Sequence, residues 1–304
     1  MASVLLTRRI PSSVLTLLQT EHTVDLYSGD GAIPRDEMLR RLVGKDALIC
    51  LLTDKVDAAV LDAAAALKVI ANIAVGYDNI DVAAARQRGI VVTNTPDVLT
   101  EAVAEFTWAL ILGIARRVSE GDRLIRAGAW KGWALDFMLG MELRGKQLGI
   151  IGGGRIGRAV AAKAPAFGMT AVFARRDMAL DELLVTSDVI SIHAPGTPET
   201  RHLINKRTLA RMKRSALLVN TARGSIVDEE ALAWALGERL IAGAALDVYE
   251  REPAIHPELK NHENVLLAPH LGSATRETRT AMAELAVRNV FAVLKGEDPL
   301  TPVN

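Results

Sequence analysis

One cysteine, Cys50, is the whole thiol inventory of this chain of 304 residues. A single thiol excludes a disulfide framework, and its place in the apolar run 47–52 reads as a small buried side chain. Charge of one sign is missing as well. The 36 basic side chains balance 36 acidic ones, which leaves no electrostatic case for nucleic acid or an anionic membrane as a partner. No run of about 18 apolar residues occurs, so no membrane-spanning helix is expected. The short apolar stretch before Arg8-Arg9 is too brief for a signal peptide, and a cytoplasmic protein is expected. No His/Cys/Asp/Glu spacing points to a metal site.

What the sequence does contain is organised around residues 147–157, QLGIIGGGRIG. A short apolar strand over 148–151 runs into Gly152-x-Gly154-x-x-Gly157. Ile156, Val160, Ala164 and Phe167 then recur on one side of a helix. In such a strand–turn–helix the glycines permit a tight turn, a backbone that can touch a pyrophosphate, and close helix–strand packing. The strand before and the helix after supply the context that makes a glycine cluster a dinucleotide site. The diphosphate would lie against unpaired N–H groups at the helix start, beside Arg155 and Ile156.

Half of the chain is apolar, enough at this length for two sizeable cores. Short apolar runs at 3–6, 23–26, 47–52, 67–73 and 90–92 read as strands, with helices near 11–19, 36–43, 57–66 and 81–89 between them. A second series follows at 148–151, 170–174, 188–192, 216–219, 242–246 and 265–267, closed by a helix over 276–294. This alternation predicts βαβ units with right-handed crossovers, and so an α/β protein of two doubly wound, Rossmann-like parallel sheets. Between the series, 100–126 reads as one long apolar helical stretch broken near Gly128, with Asn94-Thr95-Pro96 as a hinge before it. The loop that follows carries Trp130, Trp133 and Phe137. Aromatics in that position form either a subunit contact or a local satellite core.

Ligands of doubly wound sheets gather at the carboxyl ends of strands. At the second strand of the glycine-motif unit, an NAD-binding protein carries an acid for the ribose hydroxyls. Ala174-Arg175-Arg176-Asp177 stands there instead. Two guanidiniums would bind a 2′-phosphate with charge-assisted, bidentate geometry, which favours NADP(H), with NAD(H) the second candidate; the plainer reading is a solvated turn. Three further strand ends, 219–224, 247–253 and 268–272, hold an arginine, a glutamate and a histidine. Reduction of a 2-keto acid needs a cation, a proton donor and a group that orients the donor, and these side chains supply all three. Residues 74–78 end another strand, where an ordinary glycine turn is the alternative.

GGGRIG at 152–157, NTARGSIVDE at 220–229, ALDVYEREP at 245–253 and APHLGSAT at 268–275 are similar to the motifs of the D-isomer-specific 2-hydroxyacid dehydrogenases, and the resemblance spans essentially the whole chain. VGYDNIDV at 75–82 and the basic strand end after GRIG look closest to the glyoxylate/hydroxypyruvate reductase branch. The resemblance implies catalytic roles for Arg223, Glu252 and His270, with the substrate carboxylate held by Arg223 and the backbone of Val75 and Gly76. It implies hydride transfer to the 2-keto carbon, His270 giving a proton while Glu252 favours its charged form. On the cofactor side it implies Thr107 and Asp247 near the nicotinamide and His193, Ala194 and Pro195 as a wall. Thr221, Ala222 and Gly272, at the same strand ends as Arg223 and His270, are expected with those two residues to contact the cofactor.

The same resemblance implies a flavodoxin-like substrate-binding domain from 1–97 and 277–304, a dinucleotide-binding Rossmann domain over 98–276, and a homodimer through 100–141. Phe137 and Met138 stand where some reductases of the branch close the neighbouring subunit's pocket with a tryptophan, which leaves the preferred substrate size open. Glyoxylate or hydroxypyruvate is the expected substrate. The alternatives are an NAD-dependent dehydrogenase of a larger D-2-hydroxy acid, 3-phosphoglycerate included, and a nucleotide-sensing scaffold of the corepressor kind. His22, His202, His256 and His262 sit in polar contexts and are expected at the surface.

Overall fold

The computed structural model describes residues 1–175 and 177–304. Arg176, one of the two arginines expected at a 2′-phosphate, lies outside the described residues. Eleven strands form among the described residues, one at each apolar run. They are β1 (Ser3–Leu6), β2 (Thr23–Leu26), β3 (Ala47–Cys50), β4 (Val69–Asn72), β5 (Val91–Thr93), β6 (Gln147–Ile151), β7 (Thr170–Phe173), β8 (Val189–Ile192), β9 (Leu217–Asn220), β10 (Gly243–Leu246) and β11 (Val265–Leu267). The chain divides into two compact units, 1–99 with 275–304, and 100–274. Among the described residues no helix is long and apolar enough to cross a membrane.

The first unit holds a parallel sheet in the order β2-β1-β3-β4-β5, the order of flavodoxin-like folds. Every residue of β3 and β4 is buried, as expected of central strands covered by helices on both faces. Asp57 and Asp81 start two of those helices by accepting the N–H groups of Val60 and Ala84, the usual use of a short acid at an N-cap. The helix expected over 57–66 is shorter than its apolar pattern and spans Ala58–Asp62. The final helix, Arg276–Lys295, packs on β3, β4 and β5 and stops at Gly296, whose φ is +78°. From that helix the buried Asn289 holds the tail. Its Oδ1 accepts from Thr301 N at 3.0 Å and its Nδ2 donates to Thr301 Oγ1 at 2.9 Å. Thr301 Oγ1 in turn donates to the carbonyl of Asn94 at 2.6 Å.

The second unit holds a parallel sheet in the order β11-β10-β9-β8-β6-β7. The chain leaves β6 outward to β7 and then crosses back to β8, so strand order reverses at β6. The glycine motif follows that strand. Helix Thr100–Ala115 lies on this sheet and inserts Trp108, which stacks on Phe167 at 4.4 Å and donates to Val160 O at 3.0 Å.

Two expectations are corrected here. The 100–126 stretch is not one helix: it breaks after Ala115, and a separate helix spans Val118–Arg126. Arg117 turns the chain with φ +54° while its guanidinium grips Glu120 at 2.6 and 2.8 Å. The freed carbonyl of Ala115 accepts the N–H of Met141 at 2.7 Å, and a Cβ at Gly140 would stand 2.4 Å from that oxygen. Gly128, at φ +65°, ends the second helix. The other correction concerns His22, which is 8% exposed and packs edge-on to Phe291 at 5.3 Å. Burial pushes its ring below the usual histidine range. The loop aromatics build no satellite core among the described residues, since Trp130, Trp133 and Phe137 are 54%, 81% and 41% exposed.

Replacing Asn289 by alanine leaves the Thr301 N–H without its acceptor and removes the bond that the Thr301 hydroxyl accepts. A loss of about 2 kcal/mol is expected, read as a lower urea midpoint at unchanged m-value; an unaltered midpoint would refute the tether.

Candidate active site

At the carboxyl end of β6 the three motif glycines divide into two kinds. Gly152 has φ +106°, and a Cβ there would lie 2.4 Å from His193 C and 2.5 Å from Ala194 N, so the ends of β6 and β8 touch backbone to backbone. A Cβ at Gly157 would lie 2.1 Å from Gly152 O, which fixes the helix Arg155–Lys163 against the turn. Gly154 caps that helix without a side-chain partner, and a Cβ there would meet nothing within 4 Å. Two glycines therefore close the packing, and the third leaves the helix N-terminus open. Such an end, with orphan N–H groups and the positive pole of the helix, fits a dinucleotide diphosphate.

Arg175, just past β7, is exposed at φ +65°, and its N–H donates to Met178 O at 2.7 Å. The acid of this turn faces the strand: Asp177 Oδ2 accepts the N–H of Phe173 at 2.8 Å. Beside β8, His193 Nε2 lies 2.8 Å from Ser191 Oγ while Nδ1 is enclosed without a partner. Burial pushes this ring down to about 3, so it stays neutral at physiological pH.

The remaining side chains come from the ends of three neighbouring strands. Asn220, Leu246 and Leu267 stand level across β9, β10 and β11. The residues just beyond them, 221–224, 247–253 and 268–272, therefore leave the same edge of the sheet. Asn220 closes the first loop by donating from Nδ2 to Arg223 O at 2.9 Å and accepting from Ala222 N at 3.0 Å. Arg223 Nη1 donates to Ala222 O at 2.9 Å, and its Cγ covers Gly196, where a Cβ would come within 3.0 Å. Thr221 Oγ1 lies 3.0 Å from Thr107 Oγ1, whose own proton goes to Val103 O at 2.8 Å, so Thr221 is the donor of that pair. A Cβ at Gly224 would sit 1.8 Å from Tyr249 C, which brings the β9 and β10 loops into contact.

His270 and Glu252 meet through Nδ1 and Oε2 at 2.9 Å, their side chains 31% and 27% exposed. The other carboxylate oxygen, Oε1, accepts from Tyr249 N at 3.0 Å. His270 has φ +55°, an unusual backbone for a bulky residue, and Asp247 holds it there. Asp247 is buried; its two oxygens accept from Leu271 N at 2.6 Å and Gly272 N at 2.8 Å, and its carbonyl accepts from His270 N at 3.0 Å.

Glu229 and Asn220 were not among the expected site residues. The buried Glu229 accepts from Glu250 N at 2.6 Å and His256 N at 2.8 Å, so it pins the loop on both sides of Glu252. Asn220 and Glu229 delimit the motif at 220–229, but within it Glu229 reads as an acid in a first helical turn, which any helix can carry. His202, expected at the surface, is half-buried with Nε2 2.5 Å from Glu250 Oε1, and His256 is likewise half-buried with Nδ1 enclosed.

The two carboxyl groups of this loop are driven in opposite directions. Burial raises Asp247 above the ordinary carboxylate range, more than the Leu271 and Gly272 N–H groups lower it. Burial also raises Glu252, but the hydrogen bond and charge of His270, the Tyr249 N–H and the charge of Arg223 outweigh it and hold the group below its usual value.

The profile of the D-isomer specific 2-hydroxyacid dehydrogenase NAD binding domain matches residues 108–272. The whole chain is similar to the glyoxylate reductase of Thermofilum pendens, 51% identical with 99% of this chain and 94% of that protein covered. The chain belongs to the D-isomer-specific 2-hydroxyacid dehydrogenase family, in its glyoxylate reductase branch. Among solved structures, a protein of Thermus thermophilus superposes with TM-score 0.95 at 47% identity, covering 99% of this chain and 100% of that one. The NADPH-dependent glyoxylate/hydroxypyruvate reductase of Sinorhizobium meliloti, in complex with NADP and malonate, superposes with TM-score 0.87 at 34% identity, covering 99% and 96%.

Glu252 ionises below the value of an unfolded glutamate, about 4.3. Its contribution to stability is therefore present above that pH and is lost as pH falls through the lowered folded value. Glu252→Gln is expected to be less stable than the parent at pH 7, with the gap narrowing below about pH 4.3. Denaturant titrations at both ends of that range measure it, and a gap independent of pH would refute the charge pairing.

Proposed function

We propose that this protein is an NADPH-dependent reductase of a small 2-keto acid, glyoxylate or hydroxypyruvate, acting as a cytoplasmic homodimer. The observation that carries the reading is the His270–Glu252 contact at 2.9 Å, on a loop that leaves the same sheet edge as Arg223. When bound, the reduced nicotinamide supplies a hydride to the 2-keto carbon. Glu252 occupies Nδ1 of His270, which leaves Nε2 to give its proton to the developing alkoxide. Arg223 takes the substrate carboxylate and polarises the carbonyl. Asp247 keeps His270 in place through the Leu271 and Gly272 N–H groups. His193, neutral, does not compete as an acid.

Unit 100–274 is read as the dinucleotide-binding domain and unit 1–99 with 275–304 as the substrate-binding domain, with Val75 and Gly76 as its carboxylate site. The diphosphate is assigned to Gly152, Gly154 and Gly157 with Arg155 and Ile156. His193, Ala194 and Pro195 form the wall, and Thr107, Thr221, Ala222, Asp247 and Gly272 lie at the nicotinamide side. Arg175, exposed while Asp177 faces its own strand, supports a 2′-phosphate and thus NADPH over NADH. The exposed apolar side chains of 130–139, Trp133 and Leu135 foremost, support a second copy as the partner of this segment.

Initial rates with NADPH and NADH, each offered glyoxylate, hydroxypyruvate and pyruvate, test the reading. Turnover with the first two acids and preference for NADPH are expected; absence of turnover with all three would overturn it. His270→Gln is expected to lower kcat by about 100-fold or more with NADPH affinity little changed. Arg175→Asp is expected to raise the KM for NADPH while sparing NADH, and an equal effect on both cofactors would reduce Arg175 to a solvated turn.

A further inference from the structure

Three consecutive carbonyls after β4 are each held by a donor from the same unit. Ala74 O accepts the N–H of Thr95 at 2.8 Å, Val75 O accepts Asn94 Nδ2 at 2.7 Å, and Gly76 O accepts Asn72 Nδ2 at 2.9 Å. These peptides are trans, and a trans peptide points its N–H opposite to its carbonyl. Anchoring the three carbonyls inward therefore turns the N–H groups of Val75, Gly76 and Tyr77 outward. Among the described residues none of those three N–H groups donates to a protein acceptor. Successive N–H groups facing one way form a concavity for an anion.

The amides that hold the carbonyls are themselves fixed. Asn72 is fully buried; its Nδ2 also reaches Asn79 Oδ1 at 3.2 Å, and the Cys50 thiol donates to its Oδ1 at 3.6 Å. Asn79 must present its oxygen to Asn72, because its Nδ2 donates to two carbonyls, Leu51 O at 3.1 Å and Asp54 O at 3.0 Å. Asn94 is clamped through its backbone, its N–H donating to Thr301 O at 3.3 Å and its carbonyl accepting from Thr301 Oγ1 at 2.6 Å. Each amide therefore faces a carbonyl as a donor, and a turned amide would set its own oxygen against that carbonyl.

We infer that Asn72 and Asn94 are positioning residues for the substrate carboxylate: they lock two peptide planes so that the turn offers N–H groups to an anion. Were either peptide to flip, its carbonyl oxygen would face the carboxylate and repel it. The inference rests on the keto-acid reading above for the identity of the anion. It assigns a role to two asparagines that touch neither substrate nor cofactor.

Asn94, half-buried, carries the test, since variants of the fully buried Asn72 risk misfolding. Asn94→Ala is expected to raise the KM for glyoxylate and the inhibition constant of oxalate about tenfold. kcat and the KM for NADPH should stay within about twofold. Asn94→Asp, which sets an acceptor against Val75 O, is expected to raise both substrate-side constants further. Lower thermal stability with unchanged KM and oxalate constant would overturn the inference, as would a loss confined to kcat. Calorimetric titration of oxalate into parent and Asn94→Ala needs no turnover and so separates the two failures. Equal binding to both proteins overturns the role of Asn94, whereas an inert parent overturns the keto-acid reading.

Discussion

The level register of β9, β10 and β11 is the constraint on which the candidate chemistry depends. Asn220, Leu246 and Leu267 stand abreast, so Arg223, Glu252 and His270 leave the sheet from one edge although helices and loops separate them in sequence. A slip of one residue in any pairing would exchange the two faces of a strand and carry its loop with it. The buried apolar strands forbid that slip: every residue of β8, β9 and β10 is enclosed. Core packing thus fixes the sheet edge that these three side chains leave, whatever polar contacts they make. Gly224 then lets the first two loops touch at a distance no side chain would permit.

Polar contacts refine what the register begins, and they do so through carboxylates placed in different surroundings. Asp247 accepts two backbone N–H groups, which favour its charged form, but its burial outweighs them and its surroundings resist ionisation. Glu252, a few residues along the same loop, meets a histidine and lies in the field of an arginine, so its surroundings favour ionisation. Glu229, from the helix that follows the Arg223 loop, grips the backbone on both sides of Glu252. One acid therefore shapes the histidine loop, one shapes the glutamate loop, and one faces the imidazole. Environment, more than residue type, separates these roles.

How much of this the sequence discloses follows from the range of each interaction. Among the described residues the inner strands were legible because a buried parallel strand must be an apolar run, the partly exposed edge strands β2 and β7 by their place in the strand–helix alternation, and the glycine motif because two of its positions tolerate no Cβ. The break at Arg117 was not legible, since no glycine or proline marks it and the N–H that takes the freed carbonyl of Ala115 belongs to Met141, far along the chain. His22 read as a surface residue because its neighbours Glu21 and Thr23 are polar, yet the helix that buries it lies at the other end of the sequence. Arg223, Glu252 and His270 stood out because a cation, an acid and a histidine at strand ends are side chains that a plain fold does not need, and the structure brings two of them, Glu252 and His270, into contact. Asn220 and Glu229 delimit the motif at 220–229 yet were not singled out within it, because they serve backbone groups and the groups they hold are not named by neighbouring side chains.

Asn220 and Asn72 repeat one solution to a single problem. Each is the last residue of a parallel strand, each is fully buried, and each donates from Nδ2 to a carbonyl a few residues on, Arg223 O in one case and Gly76 O in the other. A chain leaving a sheet has carbonyls that the ladder no longer satisfies, and burying them unpaired is costly. The partner must be a donor, must be short enough to turn within one loop, and must stay neutral in a dry interior. Serine is too short to reach across the turn, aspartate would set oxygen against oxygen, and lysine would bring a charge that burial opposes. Asparagine meets all three demands, and its second polar atom fixes the orientation of the first. In the one loop this device fixes the backbone of Arg223; in the other it fixes the peptide of Gly76. On the function proposed above both loops would receive an anion, so a demand of folding, the pairing of a strand-end carbonyl, would also serve binding.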